Sequence, residues 1–349
     1  MPSLSELKQI PTSFASCSLT PDTSAPLPTI LSAISSAHFT GIELSFPNLL
    51  SHASSLSGRT VQPTDYESLC GAAADIAAQC KRLHLEIMLL QPFANFEGWP
   101  RGSPEREDAF ARAKGWIRIM LACGCKTLQV GSTDSPAGRI STAREDVVGD
   151  LRELADMLGE HGLRMAYENW CWSTHAPGWR EVWEIVKEVD RGNVGLCLDT
   201  FQTAGGEWGD PATKSGKIEE EGREERFRES MKALGREVDK DKIFLLQISD
   251  AYKMEEPLED KEVEGLRPRG RWSHDYRPVP GTGEGYLPCK EVARAVLATG
   301  FRGWWSYEVF DSPEWKIKEE KKSGGRDLKA FAKKARDAHE KFLEQCADE

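Results

Sequence analysis

Five polar side chains stand inside runs that are otherwise apolar: Glu43 in Gly-Ile-Glu-Leu, Glu168 in Ala-Tyr-Glu-Asn, Asp199 in Cys-Leu-Asp-Thr, Gln247 in Leu-Leu-Gln-Ile and Glu308 in Ser-Tyr-Glu-Val. Carboxylates are rarely buried without a partner, because desolvating the charge is costly. Several of them converging on one spot repel each other strongly unless a cation intervenes. Glu168, Asp199, Gln247 and Glu308 together offer three carboxylates and one neutral amide oxygen, a hard all-oxygen set. Such a set suits Mg²⁺ or Mn²⁺ with positions left open for substrate and water, and Co²⁺ or Zn²⁺ would also occupy it. Glu43 is expected in the same neighbourhood, supporting the ligands or touching substrate.

Other residues with chemical potential surround these five. His175 follows Glu168 in Glu-Asn-Trp-Cys-Trp-Ser-Thr-His and is a candidate for proton transfer, since imidazole titrates near neutrality. Arg277 precedes the glycine-rich turn Pro-Val-Pro-Gly-Thr-Gly and is expected to anchor an anion. Lys253 is a candidate for orienting a leaving hydroxyl, and Trp172, with Trp170, for walling a ring-shaped substrate. No Gly-x-Ser-x-Gly elbow and no Gly-Lys-Ser/Thr phosphate loop occurs, which disfavours covalent acyl chemistry and nucleotide binding at such motifs.

Eight apolar runs of strand length carry these residues: 12–19, 42–46, 85–93, 126–130, 164–170, 194–200, 243–251 and 302–310. Segments between them keep one apolar face at steps of three or four, as in Val147, Leu151, Leu154 and Leu158, or Trp179, Val182, Val186 and Val189. Thr142 with Glu145 predicts a capping box, and Gly41, Gly124, Gly162 and Gly300 predict left-handed helix stops ahead of strands. Strands that are apolar throughout and alternate with helices indicate a parallel sheet buried on both faces. Eight such units predict one α/β domain over 1–349, a (β/α)8 TIM barrel whose final helix spans 327–343. Two segments, 204–223 and 253–285, interrupt the rhythm after strands and are expected over the C-terminal mouth, where such barrels keep their sites. Gly216 to Glu225, which overlaps the end of the first, reads as a solvated insertion.

The whole chain of 349 residues carries a formal net charge of −11, which argues against a nucleic-acid partner. No run is apolar enough to span a membrane, and the first residues lack the basic start and apolar core of a signal peptide. The nine cysteines are scattered without a Cys-x-x-Cys pair and read as reduced thiols. A cytoplasmic protein is expected, and a homo-oligomer is compatible with it.

These residues resemble the xylose isomerase-like barrels. Within that superfamily Gln91-Pro92-Phe93-Ala94-Asn95-Phe96-Glu97-Gly98, Tyr167-Glu168 with His175, Cys197-Leu198-Asp199-Thr200-Phe201, Gln247-Ile248-Ser249-Asp250-Ala251 and the Arg277 turn are similar to the 3-dehydroshikimate dehydratases. The resemblance implies a divalent metal on Glu168, Asp199, Gln247 and Glu308. It also implies conversion of 3-dehydroshikimate to protocatechuate in quinate breakdown, with Gln91, Gln202 and Trp172 near the substrate. Two positions differ from the family pattern. Ala94 stands where an arginine suited to the substrate carboxylate is usual, and Gln202 where a proton-transferring histidine is usual. The expected substrate is a small polyhydroxylated keto compound, turned over by metal-assisted enolisation and loss of a β-hydroxyl. A ketose isomerase or epimerase shares the first step of that chemistry, and a barrel that binds without turnover is the alternative from another class. DNA phosphodiester cleavage is disfavoured by the few histidines and the acidic charge.

Overall fold

The computed structural model describes residues 2–20 and 25–347. Ten strands occur among them: β1 Thr12–Ala15, β2 Gly41–Ser45, β3 Glu86–Phe93, β4 Thr127–Gly131, β5 Arg164–Glu168, β6 Val194–Asp199, β7 Ile243–Ile248, β8 Tyr276–Arg277, β9 Trp304–Tyr307 and β10 Phe310–Asp311. Strands β1 to β7 and β9 form a closed barrel in chain order, every pair parallel. Closure comes from β1 against β9, with Thr12 opposite Trp305 and Phe14 opposite Tyr307. Strands β8 and β10 form a separate antiparallel ribbon over the mouth, with Arg277 opposite Phe310. No helix among the described residues is long and apolar enough to cross a membrane.

Successive side chains in a strand point to opposite faces, so residues two apart share one. Leu90, Tyr167, Leu198 and Leu246 join the large core between the strands and the outer helices. The alternate residues Leu89, Ala166, Cys197 and Leu245, with Met88, form a second, smaller core. Two residues further along the same faces stand Gln91, Glu168, Asp199 and Gln247. Each of these four strands thus places a small or apolar residue directly beneath its polar one.

Several expectations are corrected in detail. Gly124, Gly162 and Gly300 do take positive φ, but Gly41 does not. It lies within β2, and a Cβ there would meet the Trp304 ring at 2.7 Å, so the glycine makes room for an indole. The capping box at Thr142 does not form. The helix Arg144–Gly159 starts from Ala143 without a side-chain cap, and Ser141 donates to Asp146 (2.6 Å) instead. The segment 204–223 begins inside the helix Thr200–Glu207; of the expected solvated insertion Gly216 to Glu225, Glu219 to Gly222 are exposed, but Gly216 is buried and Arg223 to Glu225 open the helix Arg223–Glu237. The segment 253–285 holds the helix Pro268–Asp275 and then β8. The last helix runs over Leu328–Cys346, with the Asp327 carboxylate accepting from the backbone N–H of Lys329 and Ala330.

Candidate active site

The register of the barrel brings four expected ligands to one side of the mouth. Asp199 is paired with Gln247, Gln247 with Ser306, and Glu168 with Cys197, while Glu308 follows the last residue of β9. Oxygen atoms of Glu168, Asp199 and Glu308 lie within 4.8 Å of one another, and all three residues are buried. Gln247 is fully buried, and its amide donates to Glu43 Oε2 (2.9 Å) while its oxygen accepts from the Cys197 thiol (3.2 Å).

Arg277 crosses this cluster. Its Nη2 donates to Asp199 Oδ2 (2.6 Å) and to Ser249 Oγ (2.5 Å), and its Nη1 donates to Glu308 Oε2 (3.1 Å). Pairing with β10 holds the arginine there, because that two-residue ribbon folds the long loop back over the end of β9. One guanidinium against four buried carboxylates leaves the site strongly acidic. Burial, then the charge of Glu308, pushes the Glu43 carboxyl up to about 8. Burial first, then Glu308 and Asp199, pushes Glu168 well above the usual carboxylate range, and burial also raises Glu308. Arg277 is held above its ordinary value by Asp199, Glu308 and Glu168, against the opposing effect of burial.

These residues fit a divalent cation. The donors are hard oxygens held close together, and Oε1 of Glu168 is buried without a hydrogen-bond partner, as is Oε1 of Glu43. The surrounding amides fix the carboxylates in place. Gln129 and the Trp170 indole donate to Glu168 Oε2, and Gln91 donates to Glu308 Oε1 (2.9 Å).

A cavity of about 380 Å³ opens above the cluster, and Glu168, Arg277 and Glu308 form part of its wall. Gln91, Gln202 and Trp172 line it, as expected of substrate-facing residues, and so does Ala94. The Gln202 oxygen accepts from the backbone N–H of Cys171 (2.9 Å). Trp170 and Trp172 stack with ring centroids 5.2 Å apart and form one flat side. Gly131 permits this wall, since a Cβ at that position would lie 2.2 Å from the Trp170 ring.

Three expected residues stand apart from the cavity. Glu43 lies below it, against Gln247. His175 is held by Glu97, its Nε2 3.0 Å from Oε1, in a group where Tyr167 and the Thr133 N–H donate to the same carboxylate oxygen. That contact ties the loop after β3 to the loops after β4 and β5 and turns the imidazole away from the cavity wall. Lys253 is exposed and packs beside Gly216. Conversely, Cys17, Asn95, Gln129, Asp134 and His274 line the cavity and were not singled out by the sequence. Gln129 carried a usable signal, as an amide within an apolar strand like that of Gln247, and His274 lies in Trp272 to Tyr286, where Arg, His and aromatics occur together.

The model of the xylose isomerase-like TIM barrels matches residues 31–334. A 3-dehydroshikimate dehydratase of Neurospora crassa is 35% identical over 284 residues, which cover 78% of each chain. The chain belongs to this dehydratase family of xylose isomerase-like barrels. A 3-dehydroshikimate dehydratase of Pseudomonas putida is 29% identical over 82% of the chain, which spans only 36% of that longer enzyme. Among solved structures, a fusion of a xylose isomerase-like barrel with a 4-hydroxyphenylpyruvate dioxygenase superposes with a TM-score of 0.68 at 26% identity. That match covers 94% of this chain and 42% of the fusion, so the dehydratase-family barrel corresponds to a part of each of these two longer proteins.

Proposed function

We propose that the protein is a divalent-metal-dependent lyase that dehydrates 3-dehydroshikimate to protocatechuate, the reaction that feeds quinate and shikimate carbon into aromatic breakdown. The observation that carries this reading is the buried triad of Glu168, Asp199 and Glu308 at the floor of a cavity walled by stacked indoles, in a chain 35% identical to a dehydratase of that name. Glu168, Asp199, Gln247 and Glu308 would hold the cation, with Mg²⁺ or Mn²⁺ preferred for an all-oxygen set and Co²⁺ or Zn²⁺ as substitutes. When bound, the metal supplies Lewis-acid polarisation of the ketone and so favours the enolate.

The chain's own residues do the rest. Trp170 and Trp172 receive the flat face of the ring, and Gln91 and Gln202 present amides to its oxygens. Arg277 is the cation nearest the substrate space and takes the place of the arginine missing at Ala94. Loss of the β-hydroxyl from the enolate, followed by tautomerisation, yields the aromatic diol and water. Gln202 carries an amide, which cannot take up a proton near neutral pH, so a different group moves it.

The test is incubation of metal-loaded protein with 3-dehydroshikimate and, separately, with a panel of ketoses, reading ultraviolet absorbance and product mass. Protocatechuate from the first supports the reading, and epimerised sugar without protocatechuate replaces it with an isomerase. Gln202→His, alone and with Ala94→Arg, is expected to raise dehydration stepwise if the chain has drifted from an ancestral substrate.

A further inference from the structure

We propose that His274 is the proton carrier of this site, an inference that rests on the dehydration reading above. Among the described residues it is the one imidazole that lines the mouth cavity. His175 is bound to Glu97, and His339 lies against Tyr307 on the outer wall. His274 sits near the end of the helix Pro268–Asp275, one residue after Ser273, whose hydroxyl accepts from Arg277 Nη1 (3.3 Å). Its ring centroid is 6.5 Å from that of Trp172, so the imidazole stands beside the flat wall of the cavity.

The tautomer follows from one contact. His274 Nδ1 lies 2.7 Å from the Gly270 carbonyl oxygen, which can only accept, so Nδ1 carries the hydrogen. Nε2 is then a lone-pair acceptor in the neutral ring, as a general base requires. The remaining carboxylate on the cavity wall outside the triad is Asp134, and its Oδ2 already accepts from the Trp172 indole (3.0 Å).

In the step itself, Nε2 takes the proton from the carbon between the ketone and the carbon bearing the leaving hydroxyl. The C–H electron pair moves into the enolate and then forms the new carbon–carbon double bond as the β-hydroxyl departs. The imidazolium returns the proton to that hydroxyl, which leaves as water, and His274 is neutral again. Tautomerisation of the resulting dienone gives the catechol ring, so the sum is substrate to protocatechuate plus water.

Chemical rescue tests this assignment, because His274 is exposed and free imidazole can enter the space it leaves. Metal-loaded wild type, His274→Ala and His274→Gln are compared for kcat and KM with 3-dehydroshikimate, with and without millimolar imidazole, after thermal melting and metal content confirm matched folded proteins. His274→Ala should lose about 10²-fold or more in kcat with little change in KM, and imidazole should restore part of it. His274→Gln, whose amide fills the space, should show the same loss without rescue. Variants with wild-type kcat, or a loss confined to KM, overturn the assignment while leaving the dehydratase reading in place. A wild type that forms no protocatechuate overturns the reading and this inference with it.

Discussion

Two layers of the barrel interior, separated by a single two-residue step, obey opposite rules. The lower layer, Leu89, Ala166, Cys197 and Leu245 with Met88, is an apolar cluster. The upper layer, Gln91, Glu168, Asp199 and Gln247, is equally buried, yet it concentrates negative charge and leaves polar atoms unpartnered. The lower layer stabilises the native state by burial. The upper one destabilises it, as the raised Glu168 carboxyl records. Stability and chemistry therefore occupy alternate rungs of the same strands.

The largest effect should come from breaking the upper layer. Glu308→Ala is expected to lower protocatechuate formation by about 10³-fold and to abolish metal retention, measured by elemental analysis after gel filtration, while the melting transition stays cooperative. Unfolding of this variant, together with unfolding of the wild type on chelation, would make the cluster structural instead. Breaking the lower layer should do the reverse. Leu245→Ala is expected to cost about 2–5 kcal/mol in urea denaturation, with the kcat of the folded fraction nearly unchanged.

Gly131→Ala tests the boundary between wall and substrate space. The added Cβ must displace the Trp170 ring, and a loss of roughly 1–3 kcal/mol is expected from overpacking. A rise in KM should accompany it, because the flat wall loses its shape. The last effect lies outside both layers and appears only at acid pH. Burial depresses His339 to about 3, so the unfolded chain binds this proton first as pH falls below 6.5. The native state then loses up to about 1.4 kcal/mol per pH unit, down to the folded value near 3. His339→Gln should flatten that part of a stability-against-pH curve measured by denaturant titration, and an unchanged slope would refute the assignment.

How much of this was legible in the chain depends on which physical signal each residue carried. All eight barrel strands were, because residues buried on both faces make continuous apolar runs, and Glu168, Asp199 and Gln247 interrupt those runs at their exit ends. Glu308 was read as part of its strand and in fact follows it, where the chain turns into β10. Gly41 was misread because a glycine before a strand has two uses, a helix stop or space for a neighbouring ring. Only the ring of Trp304, reaching across from the non-adjacent strand β9, distinguishes them. His175 and His274 show the other limit. Nearness to a ligand in sequence favoured the first, whereas a helix within the long loop, with no strong periodicity of its own, brings the second to the cavity.

Closure of the barrel between β1 and β9 has a consequence in time. Thr12 must wait for Trp305, so nearly the whole chain emerges from the ribosome before the ring can seal. Glu168, Asp199 and Gln247 are made while the sheet is still an open crescent with two unpaired edges. Glu308 arrives three residues after Trp305, together with the strand that seals the ring, and Arg277 is clamped only once Phe310 pairs with it. The cage is therefore assembled last. A nascent chain halted anywhere before β9 lacks Glu308 and keeps an exposed edge, so the proposed metal site cannot form until that strand is made.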